Sequence, residues 1–168
     1  MAHSVNVRVA CPNDSAGISS LLRASFPVLM RSAYEPALLV RALPQMTLAQ
    51  PRLLECGSYY VAESSGGVII GCGGWTKERP GSSEITANVG HIRHFGVHPD
   101  WTRRGVGKAL YARCKDDARD AGLLRFECYS SLNGEAFYSA LGFRRLAQID
   151  VDMFDGLRFP SVHMVADI

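Results

Sequence analysis

Val97-His98-Pro99-Asp100-Trp101-Thr102-Arg103-Arg104-Gly105-Val106-Gly107-Lys108-Ala109-Leu110 decides how this chain folds. Before it, Asn88 to Val97 carries strand signals and stops at His98-Pro99. After it, Val106, Ala109, Leu110, Cys114, Ala118 and Ala121 recur at helical spacing, and Gly122 is placed to end the helix in a left-handed cap. A strand, a glycine-containing loop and a helix in succession bring unpaired backbone N–H groups and the positive end of a helix dipole to one point, which suits an anion. Gly105 and Gly107 take side chains away where a phosphate would approach the backbone, and Arg103, Arg104 and Lys108 surround it with positive charge. Two common glycine fingerprints are excluded by position. A P-loop would need Gly at 102 and Ser or Thr at 109, where the chain has Thr102 and Ala109, and a dinucleotide fingerprint begun at Gly105 would need Gly at 110, where it has Leu110.

Outward from this turn the chain reads as one α/β domain spanning 1–168, with its strands grouped in the middle and at the end. Val5, Val7 and Val9 alternate as in a half-buried strand, and Pro12-Asn13-Asp14 opens a helix through Ile18, Leu21, Leu22 and Phe26 that Pro27 is expected to end. A second helix is expected from about Glu35 to Leu43, and a short third one over Leu48 to Glu55. Tyr59 to Glu63 and Val68 to Trp75 flank a Ser64-Ser65-Gly66-Gly67 turn and predict a hairpin, whose glycines mark a bulge or a closely approached surface. Lys77 to Thr86 is a polar loop. Leu124 to Tyr129 is a strand, Gly134 to Leu141 a short helix, and Arg144 to Phe154 with Phe159 to Ala166 a terminal hairpin about Asp155-Gly156.

Composition narrows the function classes. The 168 residues are 47% hydrophobic and 20% charged, with a net charge of +2, too little to argue for nucleic acid as a partner. The charge is uneven, however: Trp101 to Arg125 holds seven basic and three acidic residues, whereas Phe126 to Ile168 holds three basic and six acidic. No apolar run approaches the ~20 residues of a membrane span, and Met1 to Val9 has no signal-peptide core, so the reading expects a cytoplasmic protein with no membrane partner. Cys11, Cys56, Cys72, Cys114 and Cys128 are odd in number and widely spaced, and are read as reduced thiols in or near the core, with no metal site.

The stretch from Val97 to Leu110 resembles motif A of the GNAT superfamily of acetyl-CoA-dependent N-acetyltransferases, and Ala136-Phe137-Tyr138-Ser139-Ala140-Leu141-Gly142-Phe143 resembles its motif B. The resemblance extends over nearly the whole chain. It implies the GNAT fold: a central, mixed, mostly antiparallel, twisted sheet of about seven strands flanked by about four helices. It implies acetyl-CoA as co-substrate, with backbone amides from Arg103 through Gly105, Val106, Gly107 and Lys108 to Ala109 holding the pyrophosphate, and Phe95, Gly96 and Val97 pairing with the pantetheine arm. The chain departs from the family's pattern at Thr102, where Gln or Arg is usual. The frequent motif B asparagine falls on Ser131, so Ser131 and Asn133 are both candidates for a cofactor contact.

Acetyl transfer to an amine needs a neutral amine, a polarised thioester carbonyl and a protonated leaving thiolate. By the resemblance Tyr138 is the acid that protonates the sulfur; the alternative is that Phe137-Tyr138 is aromatic core. His91 occupies the position of a glutamate found in many members, and an imidazole with pKa near ~6.5 is suited to accept the amine's proton. The alternative is a structural histidine, and His94, His98, Glu84 and Asp100 remain candidates beside it. Alternation puts His91, Arg93, Phe95 and Val97 on one face of the strand, unless a bulge near Gly96 changes the phase. Tyr34, Trp75 and Phe154 are candidate walls of an acceptor cleft. The expected activity is transfer of an acetyl group from acetyl-CoA directly to a primary amine on a small molecule or peptide. A catalytically silent acyl-CoA-binding sensor is the rival, and a homodimer is an open alternative.

Overall fold

The computed structural model describes residues 5–168. Met1 to Ser4, part of the stretch read above as lacking a signal core, lie outside the described residues. Seven strands form one sheet in the order β1-β2-β3-β4-β5-β7-β6. These are β1 (Asn6–Val9), β2 (Tyr59–Glu63), β3 (Ile69–Thr76), β4 (Val89–Val97), β5 (Arg125–Ser131), β6 (Arg144–Asp152) and β7 (Arg158–Asp167). Every neighbouring pair is antiparallel except β4 and β5, whose parallel course is made by the crossover through α4 (Val106–Asp120). Three further helices, α1 (Ser15–Met30), α2 (Pro36–Met46) and α3 (Pro51–Glu55), lie between β1 and β2, and α5 (Glu135–Ala140) follows β5.

Each sheet face carries its own core. Along β2, Tyr60 and Ala62 join Trp75, Ile92, Leu110, Tyr111, Phe126, Tyr138 and Phe143 beneath α4 and α5, while Tyr59 and Val61 join Ile18, Leu22, Phe26, Cys72 and Phe159 beneath α1 and α2. A side chain of this size contributes about 1.5–3 kcal/mol when fully buried, and Tyr59, Tyr60, Phe126, Ile18, Leu22 and Leu110 are all buried to that degree. Among the described residues no helix is long and apolar enough to cross a membrane.

Several boundaries differ from expectation for identifiable reasons. Pro27 does not end α1, which runs on to Met30. Proline costs the carbonyl of Arg23 its helical bond, but both residues face solvent, where water replaces it, and buried Phe26 and Met30 anchor the last turn. Ala121 is exposed because α4 has already closed: Gly122 takes φ +82, its N–H donates to Arg119 O, and Leu123 N–H donates to Ala118 O. Tyr111 fills the buried face instead. Of the cysteines, Cys72, Cys114 and Cys128 are buried, but Cys11 and Cys56 are exposed.

Candidate active site

β4 and β5 pair over only three positions, Val89 with Arg125, Gly90 with Phe126 and His91 with Glu127. Past His91 the two strands diverge, so one edge of β4 from Ile92 to Val97 presents backbone N–H and C=O groups without a ladder partner. The other edge is interrupted too. Cys72 stands opposite Gly96 and Gly74 opposite Arg93, leaving His94 and Phe95 against Gly73 as a bulge. His94 sits at φ 50 there, and the chain holds it in place: its carbonyl accepts from the Tyr59 hydroxyl at 2.8 Å and its Nε2 lies 2.8 Å from Met46 O. Burial lowers its pKa against the opposing effect of the Met46 carbonyl. His94 is thus a structural clamp.

The bulge corrects the expected phase of β4. His91 and Arg93 face the α1 side, where Arg93 donates to Thr76 Oγ1 at 3.0 Å, whereas Phe95 and Val97 face α4 and α5 beside Ile92. Gly96 is packed so tightly by α1 that an added Cβ would stand 2.6 Å from Leu22, and the Ser25 hydroxyl donates to Val97 O at 2.6 Å. The bulge therefore separates the strand into a segment aimed at one face and a segment aimed at the other.

Where β4 ends, Thr102, Arg103, Arg104, Gly105 and Lys108 are all exposed at the start of α4. No side chain caps this helix. Its first N–H groups, on Val106, Gly107 and Lys108, have no carbonyl within the helix to meet, and Arg103 (φ 59) and Gly105 (φ +82) turn the backbone so that they face outward. A Cβ on Gly105 would meet nothing within 4 Å, so the approach is open. Gly107 departs from expectation: it is buried, and a Cβ there would stand 2.8 Å from the Phe137 ring and 3.7 Å from Val97. It is small to admit Phe137, not to admit a phosphate. Ala109 is half-buried one turn in, and Arg104 lies 5.1 Å over the Trp101 ring. The residues present suit a pyrophosphate: open backbone donors, a helix N-terminus and exposed basic side chains.

Tyr138, on α5, is buried against Phe95, Phe137 and Phe143 at ring separations of 6.2, 5.0 and 5.3 Å. Burial raises its pKa well above the ordinary phenol value, and among the described residues nothing hydrogen-bonds its hydroxyl. The hydroxyl is therefore protonated at neutral pH, the form in which a phenol can donate. Ser131 stands near it: a Cβ on Gly134 would meet Ser130 Oγ, Ser131 Oγ and Tyr138 within 4 Å, whereas Asn133 is exposed.

On the opposite face His91 is buried, with Nδ1 3.9 Å from Glu127 Oε2, beyond hydrogen-bond reach. Burial lowers its pKa, Glu127 opposes this, and Arg79, Arg93 and His163 lower it further. The imidazole is therefore uncharged at neutral pH, the form with a vacant nitrogen lone pair, and burial resists its protonation. Glu127 and His163 were not among the expected site residues. Alternation along β5, with Phe126 and Cys128 in the core, could have placed Glu127 on the open face, but its register with His91 depends on where a parallel crossover returns, which no local pattern encodes. His98 caps a short turn, accepting from Asp100 N–H at 3.1 Å, and Glu84 pairs with Arg79 at 3.2 Å on an exposed loop. Trp75 belongs to the core under α4, with Nε1 3.3 Å from the Tyr60 hydroxyl. Tyr34 is buried too, stacked at 4.3 Å on Phe159 and bonded to Pro160 O and Leu132 N. It lines a cavity of about 270 Å³ with Ser32, Leu38 and Leu132, and Phe154 is half-buried against the same core.

Among solved structures, a GCN5-related N-acetyltransferase from Rhodopseudomonas palustris is 22% identical, with a TM-score of 0.75 over 100% of this chain and 99% of that one. A PaiA N-acetyltransferase from Thermoplasma acidophilum, in complex with coenzyme A, is 16% identical at a TM-score of 0.73 over 98% and 99% of the two chains. An N-acetylglutamate synthase from Neisseria gonorrhoeae, complexed with coenzyme A and N-acetyl-glutamate, is 20% identical at a TM-score of 0.63 over 98% of this chain and 35% of its own. These likenesses carry the fold. No curated protein matches the chain. Residues 20–143 match the acetyltransferase (GNAT) family, most of the chain and both motifs, and on that match the chain belongs to this family of acetyl-CoA-dependent N-acetyltransferases.

Proposed function

We propose that the protein transfers the acetyl group of acetyl-CoA directly to a primary amine in the gap between β4 and β5. One observation supports this reading: β4 and β5 part after the pair His91–Glu127, and the unpaired β4 edge that follows carries Phe95, packed on Tyr138, and ends at the uncapped start of α4. Backbone groups from Arg103 to Ala109 hold the pyrophosphate, with Arg103, Arg104 and Lys108 adding charge. Phe95, Gly96 and Val97 pair with the pantetheine arm, and half-buried Ser131, beside Gly134 and Tyr138, makes the cofactor contact rather than exposed Asn133.

The amine nitrogen attacks the thioester carbon, a C–N bond forms and the C–S bond breaks. His91 takes a proton from the amine, directly or through water, and Tyr138 gives one to the departing sulfur. Direct transfer is supported by the thiol on β5, Cys128, whose pKa burial pushes up to about 12, so that it offers no ready nucleophile. The test is a melting curve with acetyl-CoA, then thiol release with a panel of amines. Binding at a hundredfold excess over Kd stabilises by about 2.7 kcal/mol. A melting temperature unmoved by millimolar acetyl-CoA overturns the reading, and binding without thiol release from any amine favours the silent acyl-CoA-binding alternative.

A further inference from the structure

Among the described residues, three buried side-chain nitrogens have no hydrogen-bond partner: Arg79 Nε, Arg125 Nε and His163 Nε2. Two of them belong to residues that lie about one carboxylate. Arg125 Nη2 is 3.9 Å and His163 Nε2 is 3.8 Å from Glu127 Oε1, and His91 Nδ1 is 3.9 Å from Oε2. Arg79 follows three residues after Thr76, which pairs with His91 across β3 and β4, and it acts electrostatically on His91, as His163 does. A buried polar nitrogen without a partner costs free energy, and native structures leave few of them. Here Glu127 stands in the middle of its neighbours at a distance from which it accepts from none.

Among the described residues, the carboxylates within ion-pair distance of these side chains, Glu84 and Glu127, leave the three nitrogens unbonded. Glu84 is engaged by Arg79 Nη1 at 3.2 Å rather than by its Nε. The side chains of Arg79 and Arg125 are 39% and 40% exposed, so their guanidinium tips remain within reach of a ligand on this face. We propose that the acetyl acceptor is an amine carrying a carboxylate close to its amino nitrogen, and that Arg79, Arg125 and His163 receive that carboxylate beside His91. Guanidinium groups take a carboxylate in paired hydrogen bonds, and Glu127 supplies the complementary negative point for the amino group. The inference rests on the acetyltransferase reading and names its substrate class. The carboxylate belongs to a free amino acid or to an acidic residue at a peptide N-terminus.

The test compares matched acceptors with the full chain and saturating acetyl-CoA. One arm sets each common α-amino acid against its carboxamide. The other sets peptide amides beginning with Asp or Glu against those beginning with Asn or Gln. The expected result is a preference on the order of tenfold or more in kcat/KM for the acid member in one arm, which names the source. In Arg125→Gln and Arg79→Gln the ratio of acid to amide should collapse toward one, with the acetyl-CoA melting shift retained as proof that each variant is folded. Equal use of acid and amide, a preference that survives both substitutions, or thiol release only with amines lacking a carboxylate overturns the carboxylate site and leaves the acetyltransferase reading standing. Absence of the acetyl-CoA melting shift in the unaltered protein breaks that reading itself.

Discussion

The exposed turn from Thr102 to Lys108 and the face formed by His91, Glu127 and His163, to which the proposed reaction assigns cofactor and acceptor, are built from different materials. The turn is made of consecutive residues, and its chemistry lies in backbone N–H groups at an uncapped helix start, so its side chains matter mainly through size and charge. The face is made of side chains from β4, β5, β7 and the loop after β3, placed together only by strand register. A backbone cradle serves one invariant partner, the cofactor's phosphates, whatever the acceptor is. A side-chain face can be redrawn by single substitutions without touching the cradle, so acceptor choice is separable from cofactor use.

Tyr138→Phe tests this separation most severely. The ring stays packed against Phe95, Phe137 and Phe143 while the hydroxyl is lost, so turnover should fall by about 10²–10⁴ with acetyl-CoA affinity little changed. Steady-state kinetics beside a binding titration check it, and full turnover in the variant removes Tyr138 as the acid.

His91→Gln should cost nearly as much at neutral pH and progressively less as pH rises and free amine becomes abundant. Stability carries a second sign. The folded imidazole binds its proton less readily than the unfolded one, so below about pH 6.5 the unfolded chain takes up a proton that the folded chain resists, and the protein loses stability as pH falls through that window. The Gln variant should be flatter there in a series of melting curves. Equal loss of rate at every pH marks His91 as structural.

How much of this was legible in the chain follows the same division. The strand, turn and helix from Val97 to Leu110 could be read because a strand end, a glycine turn and an apolar helix face are local patterns, and the short helix carrying Tyr138 could be read because motif B is equally local. The acceptor face could not. The bulge at His94 turns on a left-handed residue clamped by Tyr59 and Met46, far apart in the chain, and it moved Phe95 and Val97 off the face expected for His91. Glu127 and His163 met His91 only through a three-pair parallel register and an antiparallel neighbour. Gly107 was read as phosphate space because a glycine's role is invisible until its neighbour is known, and that neighbour, Phe137, lies thirty residues on.

The two glycines of the turn give the sharpest small-scale comparison. Gly107→Asp drives a Cβ and a carboxylate into the Phe137 ring, so it should destabilise the protein by about 2 kcal/mol or more before any ligand is added, the usual cost of overpacking. Gly105→Ala meets open space, and its cost is conformational: a left-handed φ of +82 disfavours a Cβ by roughly 1–2 kcal/mol. The variant answers in one of two ways. It keeps the turn and melts a few degrees lower, at about 2–4 °C per kcal/mol for a chain of this size, or it relaxes the turn and loses the convergence of N–H groups on the anion. Acetyl-CoA affinity distinguishes them, unchanged in the first case and weakened up to about tenfold in the second, where 1.4 kcal/mol of strain has been released at the cradle's expense. A variant with both its melting temperature and its affinity intact would mean that the left-handed residue does not set the turn, and the cradle would then have to be credited to the helix start alone.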